Sequence, residues 1–203
     1  PDEAALAAAA QSIDDLAEAE RDWPGSPLRE GARNFVFCDG NPAARLMVIG
    51  EGPGAQEDAT GRPFVGRAGQ LLDQMLASVG IDSDRHAYIC NVVKCRPPDN
   101  RRPTPQEMAA CRPWLDRQIA AVDPMVILLA GATALEGVLG IRGGITRLRG
   151  RWHPWEGRWL MPTWLLRRLR TAWPKAWEGI VAASNERAPM FLRVNLLRTT
   201  TQA

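Results

Sequence analysis

Apolar positions change their spacing several times along the chain, and each change marks an element. Residues 3–21 space alanine, isoleucine and leucine for one amphipathic helix, ended by DWPGSP. ARLMVIG (44–50) is short and almost continuously apolar, the mark of a strand buried on both faces. A glycine-rich loop follows, and RAGQLLDQMLASVG (67–80) returns to helical spacing and stops at Gly80. AYICNVV (87–93) reads as a second buried strand and KCRPPDNRRPTP as a long polar loop. PQEMAACRPWLDRQIAAV (105–122) is a helix opened by proline, whose missing N–H costs nothing in a first turn. PMVILLAG (124–131) supplies a third strand and ATALEGVLG a short helix, while GITRLRGRW and GRWLMPT read as further strands around a turn. Strands alternating with helices predict an α/β domain whose parallel sheet is covered on both faces. Ligands in such sheets bind beyond the carboxyl ends of the strands, where the loops after Ile49 and Val93 both lie.

Composition narrows this picture. A chain of 203 residues has room for one substantial core plus an appendage. No apolar run approaches the ~20 residues of a membrane span. The alanine-rich start carries Asp2, Glu3, Asp14 and Asp15, which fits an amphipathic helix and not a signal peptide. Four cysteines fall short of a dense disulfide framework, so a cytoplasmic protein is expected; a monomer is expected as well. Charge is divided: residues 1–140 hold 13 basic and 20 acidic side chains, residues 141–203 hold 12 and 3. A polyanionic partner and a solvated arginine-rich face both account for the basic end.

The chemistry-bearing residues cluster in the two loops. Gly50, Gly52 and Gly54 let the backbone come close to a ligand and turn its N–H groups inward. No lysine followed by Ser or Thr completes a phosphate loop, and no helix follows the glycines directly as a dinucleotide site requires. Phe64, alone among glycines in GRPFVGR, is either a core residue or the wall of a pocket for a flat ring. Asn91 ends the second strand, and its amide offers one acceptor and two donors. It either closes the strand or reads an imide N–H beside a carbonyl, the pair uracil presents along its edge. Cytosine would leave such an amide unpaired, and unpaired buried groups discriminate strongly. Lys94, Arg96, Arg101 and Arg102 are placed to hold phosphates or to be ordinary loop charges. Arg147, Arg149 and Arg151 share one face of a strand, suited to the same task.

GEGPGAQEDATGRPFVGRAGQLLDQML and YICNVVKCRPPDNRRPTPQEMAACRPWL resemble, in order and spacing, the family-four (thermostable-type) uracil-DNA glycosylases over residues 34–163. The resemblance implies a three-layer αβα sandwich around a four-stranded parallel sheet, acting on uracil-containing DNA in base excision repair. It implies that Phe64 stacks on flipped uracil and Asn91 reads its edge. Gly50, Glu51, Gly52 and Gly54 would line the pocket, with Glu51, Glu57 and Asp58 available for charge stabilisation. Lys94, Arg96, Arg101, Arg147, Arg149 and Arg151 would hold the DNA backbone.

Two departures stand out. The family holds a four-iron–four-sulfur cluster with four thiolates; Cys95 and Cys111 match the later pair, but the earlier pair falls near Trp23 and Ser26, where no thiol stands. No intact cluster is expected, and the glycosidic chemistry needs none. The family's third motif, close to FHPxYLLR, should follow GRWLMPT, where this chain reads WLLRRLR. The only histidines, His86 and His153, do not replace it. Residues 162–195 instead resemble the ribosomal RNA cytosine-C5 methyltransferases through a tryptophan-rich helix and NERAPMFLRVN. The expected organisation is an N-terminal helix and linker (1–33), a glycosylase-like domain (34–163) and a basic helical tail foreign to it (164–203). Three readings follow: an impaired glycosylase, a non-catalytic DNA binder, or a nonfunctional fusion remnant.

Overall fold

The structure is a computed structural model that describes residues 3–78 and 80–142 together with two short strands, 154–155 and 158–159. The helix expected over 3–21 is two helices, α1 (Glu3–Ala9) and α2 (Ile13–Asp22). Ser12 causes the break: its hydroxyl accepts from the Asp15 N–H at 3.0 Å, and the Asp15 carboxylate accepts from the Ser12 N–H at 3.1 Å. Such a capping box satisfies two orphan donors and starts a helix wherever it stands. Apolar spacing runs across the junction undisturbed, so periodicity alone misses it.

In chain order there follow β1 (Cys38–Gly40), β2 (Leu46–Gly50), α3 (Ala55–Thr60), α4 (Arg67–Ser78), α5 (Ser83–His86), β3 (Ala87–Asn91), α6 (Pro105–Val122), β4 (Val126–Leu129) and α7 (Ala132–Leu139). A final antiparallel pair joins β5 (Pro154–Trp155) to β6 (Arg158–Trp159). The sheet has four strands in the order β1-β3-β2-β4. Strand β2 pairs in parallel with both β3 and β4, whereas β1, absent from the pattern reading, is an antiparallel edge on β3. Three residues ending in Gly40 are too few to alternate visibly, which is why the pattern omits them. The strand expected at GITRLRGRW lies outside the described residues, as does the end of GRWLMPT.

Side chains along the central strands alternate between two layers. Met47, Ile49, Tyr88 and Cys90 point to α6 and pack with Met108, Cys111, Leu115 and Ile119. Val48, Ala87 and Ile89 point the other way, to Leu72 and Leu76 of α4. The period of two thus sets helices on both faces, an αβα sandwich, with each buried Leu or Ile contributing ~1.5–3 kcal/mol. Outside α6 lies a further layer in which Ala7, Leu16 and Trp23 cover Trp114. No described helix is long and apolar enough to cross a membrane.

Candidate active site

Strands β2 and β3 end side by side, with Gly50 in register with Asn91. The ladder continues past both ends: the Val92 N–H donates to the Gly50 carbonyl at 2.9 Å and the Val93 N–H to the Glu51 carbonyl at 3.2 Å. The two loops singled out from sequence therefore leave the sheet together. Asn91 is buried, and its carboxamide oxygen would lie 2.5 Å from a Cβ placed on Gly50. The Phe64 ring edge would lie 2.5 Å from that same Cβ. Ring edge and carboxamide oxygen are thus within twice that distance of each other, and only hydrogen at position 50 leaves room for both. Gly52 is likewise crowded, by Val93 at 2.7 Å.

Phe64 reaches this point through an unusual backbone. Its φ of 56° is left-handed, rare for a bulky side chain and sustained only where surroundings impose it. Two features impose it. Gly69 in α4 lies so close that a Cβ there would fall 1.6 Å from the Phe64 carbonyl oxygen. The Glu57 carboxylate accepts from the Gly54 N–H at 3.1 Å and the Gly66 N–H at 2.7 Å, bridging both sides of the loop. The ring itself is half-buried and packs against the Val48, Leu72 and Leu76 cluster. That contact makes Phe64 a flank of the core, with its ring edge turned to Gly50 and Asn91. Gly69 and the Glu57 bridge escaped the sequence reading; the glutamate three residues after Gly54, at the start of a helix, was the available signal.

Several charges expected at the ligand are occupied elsewhere. Lys94 is a correction: it is 1% exposed, and its ammonium donates to the Asn91 backbone carbonyl and to Gln118 Oε1, both at 2.7 Å. A buried ammonium with those partners, 5.6 Å above the Phe37 ring, cannot reach a phosphate. It fastens the end of β3 from behind instead. Gln118 passes the network on by donating to the Tyr88 hydroxyl at 2.6 Å. Arg101 forks onto Glu107 at 2.8 and 2.6 Å, and Arg102 reaches Glu136 at 2.5 Å. Arg101 and the capping box with Thr104 hold the Glu107 carboxyl down at about 2. Arg96 is half-buried and donates to Asn100 at 2.7 Å. Glu57 is spent on the loop bridge, and Asp58 accepts from the Arg33 and Asn34 N–H groups at 2.9 and 3.0 Å. Glu51 is exposed beside Gly50, its carboxylate accepting from the Thr133 hydroxyl of α7 at 2.5 Å. Arg147, Arg149 and Arg151 lie outside the described residues.

The cysteines do not form a four-thiolate set. Cys95 and Cys111 are buried and close enough to feel each other's charge, with Ser26 and Arg29 hydrogen-bonded to the Cys95 thiol. Burial raises both thiols, Cys111 to about 12. Cys38 and Cys90 face each other across β1 and β3. Trp23, where an earlier thiol would stand, packs on Trp114 with ring centroids 5.6 Å apart. Among the described residues no group of three or more His, Cys, Asp or Glu could hold a metal ion. Two thiols, Cys95 and Cys111, come together where an iron–sulfur cluster takes four.

Comparison with known proteins gives consistent matches. The pattern of the family described as the Uracil DNA glycosylase superfamily matches residues 37–187, running beyond residue 163 into the basic tail. The chain is 44% identical over 169 residues to a type-4 uracil-DNA glycosylase of Thermotoga maritima, covering 82% of this chain and 88% of that one. It is 39% identical over 153 residues to a type-4 uracil-DNA glycosylase of Archaeoglobus fulgidus, covering 73% of this chain and 76% of that one. A stretch of 40 residues is 60% identical to ribosomal RNA small subunit methyltransferase B of Cronobacter sakazakii, 20% of this chain and 9% of that protein.

Proposed function

Since the chain belongs to the uracil-DNA glycosylase superfamily, we propose that it takes uracil out of the DNA stack and hydrolyses its N-glycosidic bond. The observation that carries this reading is the convergence of the Phe64 ring and the Asn91 carboxamide over Gly50. An aromatic ring and an amide brought together suit one flat base with an imide edge. Extrusion costs a few kcal/mol. Stacking on Phe64 returns about 1–3 kcal/mol of it. Asn91 accepts the imide N–H and donates to the adjacent carbonyl, where negative charge grows as the bond breaks. Donors aimed at that oxygen are the most effective catalytic element available. The Lys94 ammonium, bonded to the same residue's backbone carbonyl, adds a fixed positive charge behind the pocket. The Glu51 carboxylate, held by the Thr133 hydroxyl beside Gly50, is the group to favour the oxocarbenium-like centre until water attacks. No metal or cluster enters these steps, and one chain carries both walls, so a monomer suffices.

The absent third-motif histidine makes the reaction slow. Loss of a donor to a developing anion costs ~2.7–4 kcal/mol, a hundred- to thousandfold in rate. The decisive measurement is release of uracil from an end-labelled oligonucleotide, read as strand scission after alkali. We expect slow excision, accelerated in a variant carrying FHPSY in place of Trp164, between Thr163 and Leu165. Retarded mobility with no scission from either protein would favour the alternative, a DNA binder that keeps the pocket without the chemistry. Unchanged binding and excision in Phe64→Ala would refute the pocket.

A further inference from the structure

On the side of the molecule where α2 ends, Arg21, Arg29, Ala32, Arg33, Asn34 and Phe35 enclose a cleft of about 310 Å3. Three guanidinium groups and no carboxylate line it. Guanidinium stays charged at every working pH, so the cleft holds concentrated positive potential. Among the described residues no carboxylate forms an ion pair with any of these three, in contrast to Arg101 and Arg102, whose charges Glu107 and Glu136 neutralise. Arg29 is steadied by a neutral surface, 5.4 Å over the Phe35 ring, which fixes its position without cancelling its charge. Arg21 and Arg33 are exposed.

The cleft is fastened to the base pocket. The Asn34 amide donates to the Asp58 carbonyl at 2.6 Å, and the Arg33 and Asn34 N–H groups both bond the Asp58 carboxylate. Asp58 belongs to α3, whose six residues span about 9 Å between the glycine loop and the segment carrying Phe64. Cleft and pocket therefore ride on one unit.

We propose that this cleft binds a backbone phosphate of the DNA strand flanking the extruded nucleotide. The assignment rests on the glycosylase reading for its ligand but not for its test. Fluorescence anisotropy of a uracil-free single-stranded oligonucleotide, titrated with wild type and with Arg21→Gln/Arg33→Gln between 50 and 200 mM salt, measures it. Each phosphate contact on a single strand adds about 0.7 to the slope of log K against log salt. The double variant is expected to lose about 0.7 of that slope, the share of the one phosphate held between the arginines. Arg21→Lys/Arg33→Lys is expected to recover most of it, with thermal melting confirming that both proteins are folded. Arg29 stays untouched because it braces Phe35 and Cys95. Equal slopes in wild type and glutamine variant overturn the proposal, as does a wild type that fails to bind the oligonucleotide. Competition by inorganic phosphate alone, with oligonucleotide binding indifferent to the substitutions, assigns the cleft to a small free phosphate and also overturns it. A wild type that shows the slope change yet excises no uracil leaves the cleft standing and removes the glycosylase reading.

Discussion

Gly50 carries no side chain, yet the site is arranged around it. Its backbone needs no special conformation, so Gly50→Ala puts no backbone strain into β2 and stiffens the unfolded chain by only about 0.4–1 kcal/mol. The added methyl would sit 2.5 Å from both the Phe64 ring and the Asn91 amide, and one of them must move. Overpacking of this kind costs about 1–3 kcal/mol of stability. The loss in single-turnover excision should be larger, at least a hundredfold, because the two walls no longer meet one base. Retained excision in Gly50→Ala would show that the wall geometry is irrelevant. Lys94 invites a different experiment. Lys94→Met strands the Gln118 and Asn91 acceptors in the core, at about 1–3 kcal/mol for each unsatisfied group. Urea unfolding should show that loss, and adding Gln118→Leu should recover part of it by removing one stranded acceptor. At this scale the sequence revealed residue types but not their directions. Asn91 and Phe64 could be named as partners; that Lys94 turns inward could not, since a lysine between Val93 and Cys95 in a polar loop carries no mark of burial.

Among the elements, the central strands and the long helices were legible because their apolar spacing is regular; α6 runs from Pro105 to Val122 as its pattern predicts. What the pattern missed is set by single contacts: the Ser12 cap that divides α1 from α2, the three-residue edge β1, and α3, begun by the Glu57 bridge and ended by a left-handed Gly61. Helix α2 also carries an unusual burden. Glu20 is buried, one carboxylate oxygen lacks a hydrogen-bond partner, and burial raises its carboxyl to about 7 against the favourable charge of Lys94. The folded chain therefore binds this proton more tightly than the unfolded one. Its contribution is complete below about pH 4.5 and is lost as pH rises towards 7, a span worth on the order of 3 kcal/mol. Glu20→Gln should flatten that slope, with urea midpoints at pH 5 and pH 8 drawing together; an unchanged slope would mean that Glu20 ionises freely.

At the scale of the molecule, the N-terminal layer is held to the sandwich by packing. Trp23 against Trp114 supplies the adhesion, and both rings are buried. Trp23→Ala should cost about 3–5 kcal/mol and expose the first 25 or so residues to limited proteolysis, whereas iron chelators should leave the melting temperature unchanged. A drop in melting temperature on chelation would show that a metal does the holding. The fold class was visible in the sequence because strands and helices alternate; the stitching of this outer layer was not, because two tryptophans ninety residues apart announce no contact.

The Glu57 bridge has a kinetic corollary. A carboxylate that ties Gly54 to Gly66 orders the loop carrying Phe64 within the folded chain, so under the proposed reading the ordering entropy of that segment is settled during folding. Encounter then needs no closure around the base, and the waiting time passes to the duplex. Uracil opposite guanine, whose pairing is weaker, should be captured sooner than uracil opposite adenine, and Glu57→Gln should erode that advantage by letting the wall wander.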